Sequence, residues 1–169
     1  MAQTIILGQG VFYINEVAIG LTRGGGSFSI EKEVRQIEAD GDRGPVKGRN
    51  VIDKATPKLS VSALEIIPEN LPKMYAGVKA TTGSTDGGNT VITGTGKISD
   101  TDYQDSVKWI GKTKAGKAVT IKVFNAINLE NFEWTLADKD EVVASLTYTG
   151  CYLEESPDDY EPWEISFAK

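Results

Sequence analysis

The segment Gly111–Ala118, GKTKAGKA, comes close to a nucleotide-binding motif. A phosphate-binding loop of the form GxxxxGK[ST] holds phosphates with its backbone N–H groups and ends in a hydroxyl residue that binds magnesium. Ala118 stands at that last position and has no hydroxyl group. The residues that follow, VTIKV, alternate as in a strand, whereas a phosphate-binding loop opens a helix. The segment is therefore predicted to be a basic hairpin turn.

Acidic residues cluster at three places and could hold calcium, which prefers oxygen ligands. None of the clusters has the spacing of an EF-hand loop, so each is interpreted as a solvated turn. Paired carboxylates can also serve a glycosidase, but no other feature of the sequence favours that chemistry. The clusters are Asp40 with Asp42, Asp100 with Asp102 and Asp105, and Asp158 with Asp159.

Histidine is absent from the sequence. This excludes a Ser-His-Asp or Cys-His catalytic group, an HExxH zinc helix and the usual proton shuttle near neutral pH. Cys151 is the single cysteine, which excludes an intrachain disulfide and a multi-cysteine metal site, and we predict a buried, inert thiol. We expect a protein that is not an enzyme and that uses no cofactor or metal.

Length and charge narrow the class of protein further. The 169 residues, 40% of them hydrophobic, suit a single domain, 1–169, with one core. A net charge of −6 argues against a protein that grips nucleic acid, because that needs clustered Lys and Arg. The opening MAQTIILGQG lacks a basic segment and no apolar run approaches ~18 residues, so we expect no signal peptide, no membrane span and an intracellular, soluble chain.

Most of the chain has the period-two alternation of β-strands. Val11 to Thr22 predicts two short strands around a turn, SFSIEKEVRQIE predicts a strand with Glu31 and Glu33 on its wet face, and LSVSALEII predicts another strand. SVKWIGKT with AVTIKVFNAI predicts a hairpin, NFEWTL with EVVASLTYTGCYL a second pair joined by the turn DKDE, and PWEISF a last strand. Ser145, Thr147 and Thr149 form a hydroxyl face on the second pair.

PENLPKMYAGVK contains the helical pattern of the sequence. Apolar residues at i, i+3, i+4 and i+7 predict a helix that begins near Glu69 or Asn70, is capped by Asn70, packs on the sheet and ends near Gly77. A flexible surface loop is predicted at about residues 81–90, followed by a short edge hairpin in VITGTGKI. The predicted fold is mainly β, an antiparallel sandwich or barrel with one short flanking α-helix. The helical stripe is Leu71, Met74, Tyr75 and Val78.

Two polar strand faces leave two interpretations open. Each could be the solvated side of an ordinary sheet. Alternatively, they line something large and aqueous: a small closed barrel is filled by apolar side chains, but a wide barrel can present polar residues inward. A chain of 169 residues cannot build a wide barrel alone, whereas several copies can.

The order of these features resembles the major tail tube proteins of long-tailed siphophages and of phage-derived tail particles. The resemblance covers nearly the whole chain, through GQGVFYIN, IEADGDRGPVKGR, the strand ending in LEI before the helix, NAINLENFEWTLADKDEVVASLTYTG and PWEI. Its most specific parts are GPVKG, Gly44 to Gly48, and LADKDEVVASLTYTG, Leu136 to Gly150. The region from Thr81 to Asp100 is not diagnostic.

The resemblance implies stacked rings, usually hexameric, whose inner strands join into one continuous β-barrel. It also implies that a long loop, here about residues 38–56, reaches neighbouring subunits; glycines let it bend, Pro45 stiffens it, and charges of both signs suit docking. An ordinary mobile loop is the alternative. The implied inter-subunit residues are Asp40, Gly41, Asp42, Arg43, Gly44, Pro45, Val46, Lys47, Gly48 and Arg49.

The function implied by the resemblance is that of a structural virion protein. It would polymerise around a tape-measure protein, meet tail tip and tail terminator proteins, and let DNA pass through the lumen without specific binding. Glu31 and Glu33 are candidate lumen-lining residues that would repel phosphates. Its expected location is the virion tail, and the host cytoplasm during assembly.

Two other functions stay open beside this one. The first is the tube of a DNA-free, phage-tail-like bacteriocin, which would share every feature above. The second is a carbohydrate-binding β-sandwich of the tail tip, with tryptophans stacked on sugars. Against it, the three tryptophans lie in alternating strand patterns and are expected in the core. They are Trp109, Trp134 and Trp163.

Overall fold

Antiparallel strands make up most of the computed structural model, which describes residues 4–83, 87–155 and 160–169. The mainly β fold with a short α-helix that the sequence predicts is confirmed. The helix α1 spans Leu71–Met74 and follows a 3-10 turn at Pro68–Asn70; another 3-10 turn spans Asp100–Asp102. The strands are β1 Ile6–Ile14, β2 Val17–Ala18, β3 Thr22–Gln36, β4 Asn50–Ala63, β5 Val78–Thr82, β6 Thr90–Gly94, β7 Gln104–Thr113, β8 Ala118–Asn128, β9 Ala144–Gly150 and β10 Trp163–Phe167.

The main sheet has the strand order β2-β1-β7-β8-β9-β4-β3, and β10 also pairs with β8. The strand β8 changes partner along its length, from β10 at Val119–Val123 to β9 at Ala126–Asn128. Asn125 lies at the change and has a φ of 47°, a left-handed conformation that asparagine tolerates better than most residues. The irregularity lets one strand support two neighbours on the same side.

The sheet folds back on itself, so that its first and last long strands approach each other. A Cβ atom on Gly26 of β3 would lie 2.6 Å from the ring of Phe12 in β1, which only glycine permits. Alternate residues of these strands point inward and form one apolar core, as their period of two predicts. The core includes Phe12, Ile14, Leu59, Val61, Ala63, Val107, Trp109, Val123, Leu146 and Tyr148.

The short helix packs on this core with the predicted apolar stripe. Leu71, Met74 and Tyr75 are buried. Two hydrogen bonds attach the helix to the sheet: the Tyr148 hydroxyl donates to the Lys73 carbonyl at 3.2 Å, and Asn128 Nδ2 donates to the Met74 carbonyl at 2.6 Å. These contacts keep α1 against the ends of β8 and β9.

The predicted helix is too long and its predicted cap is wrong. Tyr75 already has extended backbone angles, Val78 belongs to β5, and the Asn70 side chain makes no capping hydrogen bond. Pro72 is tolerated because it lies in the first turn, where its missing N–H has no intrahelical acceptor. The chain leaves the helix early because β5 must pair with β6, through Val78 opposite Gly94.

Two further predictions are corrected by the structure. NFEWTL is not a strand: residues 129–143 run without regular structure, and β9 begins only at Ala144. Aromatic contacts replace strand pairing there, because the Phe132 ring lies 4.4 Å from Tyr75 and 5.0 Å from Trp134, measured between ring centroids.

The predicted surface loop at residues 81–90 is shorter than expected. Thr81 and Thr82 lie in β5 and Thr90 lies in β6, where Thr82 and Thr90 face each other; residues 84–86 lie outside the described part of the chain. The segment VITGTGKI therefore supplies one strand of a hairpin whose other strand precedes the loop. The basic segment near Gly116 is the predicted hairpin turn, joining β7 to β8.

Candidate functional site

The strands β3 and β4 form a hairpin that extends beyond the rest of the sheet. Their pairing runs from Thr22 opposite Ala63 to Gln36 opposite Asn50, whereas β9 pairs with β4 only between Lys58 and Ala63. We call residues 30–57 of this hairpin the arm. Within the described residues no third strand pairs with the arm; Ala55 and Pro57 at its base are buried, and its outer part projects as a two-stranded element.

The loop at the end of the arm spans residues 37–49, which corrects the predicted range of 38–56. Residues 50–56 are strand, because Val51 and Ile52 pair with Arg35 and Val34. β-Branched residues favour such paired, extended backbone. The predicted inter-subunit residues Asp40 to Arg49 thus all lie in the loop itself, and most of them are exposed.

The loop is held by its own hydrogen bonds in the isolated chain. The Asp42 carboxylate accepts a hydrogen bond from the Ala39 backbone N–H at 2.8 Å and from the Arg49 guanidinium at 2.7 Å. Gly41 and Gly48 have φ values of 89° and 88°, which favour glycine. The arm is therefore a formed projection with a closed end.

Polar side chains of three neighbouring strands share one side of the sheet, opposite the core. Cross-strand pairs place Ser27 opposite Ser60, and Ser60 opposite Thr147. The structure thus joins the two polar faces that the sequence shows separately. We call this surface the polar face. Its residues are Ser27, Ser29, Glu31, Glu33, Lys54, Thr56, Lys58, Ser60, Ser62, Ser145, Thr147 and Thr149.

The two predicted lumen-lining glutamates lie on the polar face, and each has a lysine partner. Lys58 Nζ lies 2.9 Å from the Glu31 carboxylate, and Lys54 Nζ lies 3.6 Å from that of Glu33. Both glutamates are exposed, so each ion pair contributes only about 0–1 kcal/mol to stability. Their main effect is electrostatic balance: the face is not negative in the way that the glutamates alone suggest.

Sequence reasoning missed the two lysines. Lys58 lies four positions after Lys54 in β4, and because four is an even number the period of a strand puts both on the same side. Which residues of β3 they face depends on the β3–β4 register, and this register shifts between Glu33 and Val34. The spacing of the lysines was visible in the sequence, but their partners were not.

An apolar cleft opens between β1 and β3, where the folded sheet does not close. In the part of the chain that the structure describes, β3 pairs only with β4, and β2 covers β1 only at Tyr13 and Ile14. We call this cleft of about 390 Å³ the seam. Its lining residues carry no charge: Ile6, Gly8, Gln9, Gly10, Phe12, Thr22, Gly25, Gly26, Ser27, Phe28, Leu59, Trp109 and Ile121.

This fold is similar to that of a tube terminating cap. One matching solved structure is the cryo-EM structure of the anti-feeding prophage cap, with a TM-score of 0.52 and 11% sequence identity. The match covers 99% of this chain and 94% of that chain. At this identity the likeness shows a shared fold. No family model and no curated protein matches the sequence.

The three tryptophans are packed in different places and form no common platform for a sugar. Trp109 is 8% exposed and covers Gly10 and Gly111. Trp163 is half-buried 6.0 Å from the Phe28 ring, and Trp134 is half-buried against Phe132. The contacts are those of core and near-core residues, and they disfavour the carbohydrate-binding interpretation.

The other residues that could take part in chemistry either have structural roles or lie apart from one another. Asp102 caps a 3-10 turn, since its carboxylate accepts a hydrogen bond from the Ser99 N–H at 2.7 Å. Cys151 is half-buried rather than buried, and burial raises the pKa of its thiol. Among the described residues no group of three His, Cys, Asp or Glu could hold a metal ion, and Asp158 and Asp159 lie outside them.

The helices of the described part of the chain are not membrane spans. Within residues 4–83, 87–155 and 160–169, none of them has both the length and the apolar character that crossing a bilayer requires.

Proposed function

We propose that this chain is a structural subunit of a tail tube, of a phage or of a phage-tail-like particle, and that copies of it assemble into rings through β3 and the arm. The observation that carries the proposal is the outer edge of β3. This strand is 15 residues long and, among the described strands, pairs only on its inner side. A long free edge promotes aggregation unless it is used, and head-to-tail pairing around a ring uses every such edge.

The polar face explains what such a ring would enclose. It runs along one side of the β3-β4-β9 sheet from Ser27 to Glu33, and between Leu59 and Ala63 the opposite side of β4 packs into the core. Copies that join edge to edge would form a barrel wide enough to hold water, with the polar face inward. Hydroxyl groups and balanced ion pairs would give the lumen little attraction for a phosphate backbone, because net positive charge is what binds DNA.

The partners of this proposed subunit follow from the tail tube resemblance. They are other copies of the chain, in a ring of six, a tape-measure protein inside the tube, and tail tip and tail terminator proteins at its ends. DNA would pass through the lumen without specific binding. The protein would be located in the virion tail, after assembly in the host cytoplasm.

Electron microscopy of the concentrated protein tests the proposal. Purified chain is incubated alone and with a tail tip complex as a seed, because a subunit can stay monomeric until assembly is initiated. Hollow filaments of uniform width are expected, at least in the seeded sample. A protein that stays monomeric at high concentration and with the seed would contradict the proposal.

A second candidate is a subunit that terminates a tube instead of repeating along it. The near-complete coverage of both chains in the match to a tube terminating cap favours this function. A cap would form single rings that bind to tube ends and do not stack into filaments. The same micrographs distinguish a tube subunit from a cap, since only a tube subunit forms filaments that grow longer when more protein is added. A DNA-free particle, as in a tail-like bacteriocin, would give the same filaments and would differ in lacking a capsid.

A further inference from the structure

The arm ends in a cluster of exposed aliphatic side chains on both of its faces. Val34 and Ile52 face each other across the hairpin and are 59% and 55% exposed. Val51 lies on the opposite face beside Arg35, and Ile37 follows on that side. We call these four residues, Val34, Ile37, Val51 and Ile52, the apolar arm end. Exposed aliphatic side chains grouped on both faces of a hairpin are typical of a surface that a partner covers.

Two ion pairs lie beside the apolar arm end. The Arg35 guanidinium lies 3.0 Å from the Asp53 carboxylate, and the Arg49 guanidinium lies 2.7 Å from Asp42. Lysine and glutamate pair in the same way further along, at the polar face. The arm as a whole carries six acidic and six basic side chains, so its net charge is zero, and an apolar, uncharged concavity suits its apolar end.

The seam has those properties on the same molecule. Its lining contains no charged residue and includes aromatic and aliphatic side chains such as Phe28, Leu59 and Trp109. Its volume of about 390 Å³ falls in the range of clefts that bind a small ligand, which is enough for a few inserted side chains. Free strand edges of β1 and β3 border it, so an entering strand also finds unpaired backbone groups.

We propose that the apolar arm end of one copy inserts into the seam of the next copy. The arm cannot reach its own seam: Phe28 lines the seam, and Val34 lies about 20 Å further along the same strand. The contact joins two different surfaces of identical chains, so it is head-to-tail and closes in a ring or repeats along a filament. This contact would lie next to the proposed pairing at the outer edge of β3, because β3 borders the seam. The inference rests on the proposed function, because it specifies how tube subunits hold one another.

Cysteine cross-linking between two variants tests the contact directly. Gly8→Cys places a thiol in the seam, where an added Cβ meets nothing within 4 Å, and Ile52→Cys places one on the exposed arm end. Both variants carry Cys151→Ser, so that each has a single thiol. When the two are mixed and oxidised, disulfide-linked dimers of one copy of each are expected in excess over dimers of either variant alone.

The matched control is Leu136→Cys, in which the replaced side chain is 80% exposed outside both surfaces. Mixed with Gly8→Cys, it should give only the background yield of random collisions. A yield for Ile52→Cys no higher than for Leu136→Cys would overturn the proposed contact.

Assembly variants separate this contact from the proposed function. Gly8→Phe fills the seam and Ile52→Ser removes an arm side chain, while Leu136→Ser is the control. Because burial of one aliphatic side chain strengthens a contact by at least about tenfold, the first two variants should raise the concentration needed for filaments by about tenfold or more. The control should assemble like the wild type.

Each combination of results has a distinct meaning. If the wild type forms tubes and Gly8→Phe and Ile52→Ser form them equally well, the contact is refuted while the tube function stands. If the expected cross-link forms but no tube or ring ever does, the tube function is refuted and the contact stands as a smaller self-association.

Discussion

Removing both glutamates from the polar face should convert a surface that does not bind DNA into one that does. In the Glu31→Gln, Glu33→Gln double variant, Lys58 and Lys54 lose their partners. The face then carries two uncompensated positive charges. Both glutamates are exposed and each ion pair contributes only about 0–1 kcal/mol, so the fold should survive the change.

The size of the effect follows from counterion release. Two phosphates neutralised by two free lysines predict a slope of roughly −1.8 for the logarithm of the association constant against the logarithm of salt concentration. Raising salt from about 50 to about 200 mM should therefore weaken binding about tenfold. Fluorescence anisotropy of a short labelled duplex measures both values. The wild type should show no binding under the same conditions.

A charge-balanced control makes this test specific. Adding Lys54→Gln and Lys58→Gln to the double variant restores a neutral face and should abolish the binding. Equal DNA affinity in the two- and four-residue variants would show that the lysines of this face are not responsible. If the tube function holds, particles that carry the double variant should also release DNA more slowly, with normal tube assembly.

Two other predictions concern the core and the cysteine. Leu59→Ala, at a site 2% exposed in the core, should lower the free energy of unfolding by about 3–5 kcal/mol in urea titrations, whereas Leu136→Ala, at a site 80% exposed, should change it by less than about 0.5 kcal/mol. Equal effects would mean that β4 is not a core strand. Since burial raises the pKa of the Cys151 thiol, less thiolate is present at a given pH, and alkylation should need a higher pH in the folded protein than in urea. Identical rate profiles in the two conditions would contradict this.

The sequence predicts the strands better than it predicts their partners. In β9 and in β4 from Ala55 to Ala63, alternate side chains are buried in the core, so alternation identifies the strand and its inner face; Leu59 and Leu146 are examples. NFEWTL has the composition of a strand but not its pairing, because Phe132 packs against Tyr75 and against Trp134. That contact depends on tertiary structure, which local propensity does not contain.

The candidate surfaces show the same division. The loop between Asp40 and Arg49 is readable from its glycines and charges, since turn chemistry is local. The charge balance of the polar face cannot be predicted from the sequence, because it depends on the β3–β4 register, which shifts between Glu33 and Val34. The seam cannot be predicted from the sequence either, since it exists only where β1 and β3, which are distant in the strand order of the sheet, approach each other.

The strand β3 combines three features that a monomer does not need. Its outer edge is free within the described structure, one of its faces is polar along the sheet, and its far end carries Val34 in an exposed apolar cluster. The core, in contrast, is formed mainly by β1, β4, β7, β8 and β9, so changes on the outer part of β3 should cost little folding stability. Folding therefore depends little on the outer part of β3, and variants of the arm should weaken the proposed assembly without unfolding the subunit. Such separation is what a tube needs, because each copy must fold before it finds its neighbours.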